Sequence, residues 1–86
     1  MFIIVDTVIY LVDHSIEDEE IRSLTTQEVG YTKALIAIKD ISYAYQKKDN
    51  DHCQIIFNNG HVIEIKETVN EVIEKINKAS LLQKIQ

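Results

Sequence analysis

Eleven consecutive residues, Asn58-Asn59-Gly60-His61-Val62-Ile63-Glu64-Ile65-Lys66-Glu67-Thr68, read in succession as a tight turn, a strand and a helix start. No other stretch confines the fold so closely. A two-residue Asn59-Gly60 turn would set Phe57 against Val62 and Ile55 against Glu64, mixing apolar and charged groups on both faces. A three-residue loop over residues 58–60 instead pairs Phe57 with His61, Ile55 with Ile63 and Cys53 with Ile65. That register gathers Cys53, Ile55, Phe57, Ile63 and Ile65 on one face and leaves Gln54 and Glu64 on the other, beside Ile56 and Val62. A slip of one residue would invert every side chain, so the three-residue register is expected, with Gly60 in the left-handed position that closes a type I turn with a bulge.

Thr68-Val69-Asn70-Glu71 then has the form of a capping box, hydroxyl to amide one way and carboxylate to amide the other. Val69, Val72, Ile73, Ile76 and Ala79 follow at offsets 0, 3, 4, 7 and 10, one helical face. A C-terminal helix over residues 68–83 is predicted to lie across the apolar side of the hairpin. Glu71 with Lys75 and Glu74 with Lys78 support it as exposed pairs of about 0.2–0.5 kcal/mol each.

Residues 2–12 form a strand candidate with two apolar faces: Phe2, Ile4, Val8, Tyr10 and Val12 on one, Ile3, Val5, Ile9 and Leu11 on the other. An edge strand with a wet face would alternate, so this one belongs inside a sheet or under another copy of the chain. Residues 13–30 read as an acidic connection. An irregular loop closed by Gly30 is the preferred reading, with a short helix capped by Ser15 and Asp18, carrying Ile16, Ile21 and Leu24, as the alternative. A second strand is expected over residues 32–38. After a bend at Lys39-Asp40 comes a third, with Ile41, Tyr43 and Tyr45 on one face. The fold class is therefore a single α+β domain, 1–86: a largely antiparallel sheet of about five strands with the C-terminal helix packed on one face.

The net charge of -5 is confined to one segment. Residues 13–30 hold six acids against Arg22, whereas residues 31–86 hold eight lysines and seven acids, so the body is close to neutral. A nonspecific nucleic-acid binder needs a cationic surface, and no such surface is visible in the sequence. The apolar start lacks a basic flank and is interrupted by Asp6 and Thr7, well short of the roughly 20 residues of a membrane span. One cysteine rules out an internal disulfide and suits a reducing cytoplasm.

Catalytic and cofactor chemistry finds little support. His52 and Cys53 are adjacent and on a strand would point to opposite faces, with Cys53 under the helix as a small hydrophobe. His14, His52 and His61 match no zinc spacing, and nothing in the sequence brings them together. Asp49-Asn50-Asp51 lacks the glycine and glutamate of a calcium loop. There is no phosphate loop, dinucleotide glycine pattern or nucleophile elbow. Tyr31, Tyr43 and Tyr45 are of a type that stacks bases, but stacking platforms lie in cationic grooves, and here Lys47 and Lys48 face Asp49 and Asp51. No enzyme, cofactor or metal is expected.

The stretch "DISYAYQKKDNDHCQIIFNNGHVIEIKETVNEVIEKI" resembles the small flagellar and swarming-motility proteins of the FlbD/SwrD type, over about residues 40–78 in all. Asn59-Gly60, Lys66-Glu67-Thr68 and the run Glu71 to Ile76 carry the likeness. A weaker similarity is to LytTR-type strand-and-helix units. The first resemblance implies a role in bacterial motility, and many small phage and bacterial proteins share the same hairpin-and-helix look. With one helix for two sheet faces, the other face, including Ile56 and Val62, lacks an obvious cover. The expected function is a homo-oligomeric protein-interaction module, with Ile4, Ile9 and Leu11 at the oligomer interface. Glu17, Asp18, Glu19 and Glu20 would meet a basic partner, beside Ile56 and Val62. The alternatives are a mobile-element inhibitor or small-ligand sequestering protein with pockets between subunits, and a nucleic-acid-binding regulator.

Overall fold

The computed structural model describes residues 1–85, with side chains to residue 81. In chain order the elements are β1 (Phe2–Leu11), α1 (Glu19–Thr25), β2 (Gln27–Ala37), a 3-10 turn (Ile38–Asp40), β3 (Ile41–Gln46), β4 (Cys53–Phe57), β5 (Val62–Ile65) and α2 (Val69–Ile85). The fold is α+β, with all five strands in one antiparallel sheet of order β2-β1-β5-β4-β3. The doubly apolar β1 lies inside the sheet, between β2 and β5.

The tip of the β4–β5 hairpin has the three-residue register. Cys53 pairs with Ile65, Ile55 with Ile63 and Ile56 with Val62. The Phe57 amide donates to His61 O at 2.8 Å, the Gly60 amide to Phe57 O at 2.9 Å, and Gly60 has φ +89°. The capping box also forms: Glu71 N donates to Thr68 Oγ1 at 3.2 Å and Thr68 N to Glu71 Oε1 at 3.3 Å. Only part of the expected helical stripe reaches the core. Val72 is buried and Val69 and Ile76 are half-buried against it, whereas Ile73 is 48% exposed. The contact is a seam with offsets 0, 3 and 7, and Ile73 falls on its flank.

Three sequence expectations are corrected. The 13–30 connection ends early, because β2 already starts at Gln27 and Gly30 lies within it, opposite Ile9 and next to an irregularity between Ile9 and Tyr10. Pairing with β1 recruits these polar residues, which have no strand signal of their own. Within the remaining connection α1 forms, capped by Asp18 alone; Ser15 instead donates to the Asp13 carboxylate. In β3, Ile41 pairs with Phe57 but Tyr43 pairs with Ile56, so Ser42 is one residue extra. That irregularity inverts the alternation. Ile41 packs against the core and the two tyrosines point to the opposite face.

The sheet cannot be flat. Five strands at about 4.8 Å spacing put the outer two roughly 19 Å apart. Yet the edge strands β2 and β3 are joined by the three residues Ile38–Asp40, and a 3-10 turn rises only about 2 Å per residue. The sheet therefore curls until its edges approach at this link. Asn58 fastens the hairpin tip there, its amide donating to Asp40 O at 2.9 Å and its Nδ2 to Lys39 O at 3.0 Å. The bending falls at the β1–β5 seam, where the ladder contains one residue pair, Thr7 with Ile65. Just beyond that rung Lys66 N still donates to Asp6 O at 2.8 Å, and side chains then take over from strand bonds. Asp6 N donates to Glu67 Oε2 at 3.2 Å, Lys75 Nζ donates to Ile4 O at 2.6 Å, and the Glu67 and Lys75 side chains are paired with each other. Curling encloses the core of Ile3, Val5, Ile36, Cys53, Ile55, Ile65 and Val72.

Candidate functional site

Pairing fixes which side chains share the face turned away from this core. They are the even-numbered residues of β1, β4 and β5 with their partners: Phe2, Ile4, Val8 and Tyr10; Tyr31 and Leu35; Ile56 and Val62; Tyr43 and Tyr45. Val8 is buried and Ile56 half-buried. The other eight are exposed, from 40% for Tyr10 to 67% for Leu35. Tyr43 and Tyr45 stack at 6.4 Å between centroids, and Lys66 Nζ sits 4.8 Å from the centre of the Tyr31 ring. An apolar face of this extent is the form that binding surfaces take.

A buried polar cluster sits in the middle of this face. Glu64, on β5, is 9% exposed and His52, just before β4, is 8% exposed. Lys47 Nζ approaches Glu64 Oε1 at 2.5 Å and His52 Nδ1 approaches Glu64 Oε2 at 2.7 Å. The Tyr10 hydroxyl donates to Glu64 Oε2 as well. Burial by itself would raise the Glu64 pKa, but the bonds from Lys47, Tyr10 and His52 outweigh it and hold the carboxyl down at about 2. The same contact works the other way on Tyr10, where burial and the bond to Glu64 push the phenol up to about 12. Lys47 is raised chiefly by its bond to Glu64.

Glu28 completes the group from β2, opposite Tyr10. One ligand atom each from Glu28, His52 and Glu64 lies within 4.8 Å of the others, so these three residues could hold a metal ion. The sequence reading missed this set. Glu28 belonged to the acidic connection, and histidines were weighed only against one another and Cys53. His52 and Cys53 do take opposite faces, and Cys53 is fully buried in the core with its thiol pKa raised by burial. In hindsight, the visible signal was Glu64 itself, a lone acid between Ile63 and Ile65 on a short strand.

The other expected site residues are dispersed. Glu17, Asp18, Glu19 and Glu20 are exposed at the start of α1, and the Asp18 carboxylate accepts from Glu20 N at 2.9 Å and Ile21 N at 3.2 Å. Ile56 and Val62 are cross-strand neighbours on the open face, which also carries Ile4. Ile9 and Leu11 are exposed on the opposite side of β1, beyond the core cluster. A separate groove of about 420 Å³ runs past the curl link, between Leu35, Asp40, Phe57 and Asn58. Among the described residues, no helix is long and apolar enough to cross a membrane. Comparison with family models, curated proteins and solved structures found no match.

Proposed function

We propose that the protein is a non-catalytic interaction module of a bacterium or its phage, working in the cytoplasm. It self-associates over the open sheet face and engages a further protein through the acidic start of α1. The uncovered face supports this reading most directly: eight large apolar and aromatic side chains are exposed around one buried polar cluster. A two-fold pairing of this face with itself would bury them, place polar groups near the centre for register, and leave both acidic arms free. The acid run, whose one near cation among the described residues is Arg22 at 3.9 Å from Glu19, suits a basic partner.

Light scattering at micromolar concentration should give a mass above the 9.9 kDa monomer. Ile4→Glu, on the exposed face, should lower that mass and leave the circular dichroism spectrum unchanged. A parent protein that stays monomeric across that range overturns the self-association. A second reading, capture of a small ligand, is supported by the groove at the curl link. Native mass spectra carrying an extra small molecule would favour it.

A further inference from the structure

We infer that Glu28, His52 and Glu64 form a binding site for a divalent transition-metal cation of the zinc class. This site does not depend on self-association, since all three residues come from one chain. They also come from three separate places in the sheet: β2, the approach to β4, and β5.

Charge is the first argument. The carboxylates of Glu28 and Glu64 approach within 4.8 Å, together with an imidazole nitrogen. Lys47 is bound to Glu64 Oε1, and among the described residues no cation is paired with Glu28. Two neighbouring carboxylates with one ammonium leave a local negative excess, which a dication neutralises more completely than a proton shared with His52.

Geometry is the second. Zinc bonds to nitrogen and oxygen are about 2.0–2.1 Å long, which sets ligand atoms roughly 3.4 Å apart in a tetrahedron. The observed spread of up to 4.8 Å has to close somewhat, and Glu28, being exposed, has the freedom to swing inward. His52 and Glu64 are buried side by side, and their 2.7 Å contact has to open by a fraction of an ångström as the ion enters between them. The Tyr10 hydroxyl bonded to Glu64 supplies the outer support that orients ligands in metal sites. Lys47 is the opposing feature. Its ammonium holds Glu64 Oε1, so the ion enters from the Oε2 and His52 side, where Glu28 stands.

Donor type selects the ion. Two carboxylates and an imidazole suit Zn²⁺, Co²⁺ or Mn²⁺, whereas a soft, thiol-seeking ion would need Cys53, which lies in the core on the other face. The fourth position is left to water or a partner's side chain. Once bound, the ion ties Glu28, three residues past the end of α1, to the β4–β5 hairpin.

The test titrates the untagged full chain with ZnCl2 by calorimetry, and with CoCl2 by visible absorption. One ion per chain is expected, with a rise in thermal midpoint. Glu28→Gln should weaken binding by at least about tenfold. Glu28 is exposed, so this variant keeps the fold, whereas replacing the buried His52 risks losing it. A His14→Gln/His61→Gln double variant should bind as the parent does, because neither histidine belongs to the site. The proposal is overturned by no saturable binding at micromolar zinc, by half an ion per chain, by unchanged binding in Glu28→Gln, or by loss of binding in the double variant.

Discussion

Thr7 Oγ1 is buried at the β1–β5 seam and has no hydrogen-bond partner among the described residues. An unmet buried hydroxyl costs roughly 1–3 kcal/mol, and valine has the same branched shape with strong strand preference. Thr7→Val should therefore stabilise the fold by about 1 kcal/mol in urea unfolding; a lower midpoint would mean that the hydroxyl is satisfied. Glu64 acts at the same scale through pH. Its carboxyl is held at about 2 in the folded protein against an ordinary 4.5, so its contribution is complete above pH 4.5 and disappears as pH falls towards 2. Unfolding midpoints should drop across that window, and by less in Glu64→Gln, which carries no ionisable group there. Parallel pH profiles for the two proteins would refute the assignment. The face on which Glu64 lies follows from alternation in the sequence. Its neighbours do not, because Tyr10 reaches it only through the pairing of β1 with β5, and Glu28 only through that of β2 with β1.

The individual elements were legible to different degrees. Both the β4–β5 hairpin and the α2 cap are written in adjacent residues, whose turn chemistry and reciprocal bonds need no distant partner. The start of β2 and the inversion in β3 were hidden for the opposite reason, since a neighbouring strand decides each. The short helix α1 stands between these cases. It has no buried residue, so its order rests on the Asp18 cap, the Arg22–Glu19 ion pair, and bonds from Arg22 to Ile16 O and from the Thr25 and Thr26 hydroxyls to Arg22 O. Asp18→Ala should fray residues 19–25, seen as faster amide exchange there, with little change in the global midpoint. Asp18→Asn keeps an effective cap and should exchange as the parent does. If the alanine variant leaves exchange in 19–25 untouched, something other than the cap orders α1. Neutralising the acid run therefore has to use asparagine at position 18 if charge is to be separated from helix formation.

At the scale of the whole molecule, the strand count and the helix on one face were accessible from pattern, as was the lack of a cover for the second face. The curl was not. Alternation says which way a side chain points relative to its own strand, and it contains no statement about how far apart two edges lie. The decisive quantity is a connection length. Four strand spacings must be reconciled with one short turn, and the sheet complies by bending where its ladder is thinnest. One added residue would bring about 3.3 Å of chain, some two-thirds of a strand spacing. The link thus acts as a clasp whose tightness is counted in residues, and the shape of both faces is set by chain that belongs to neither.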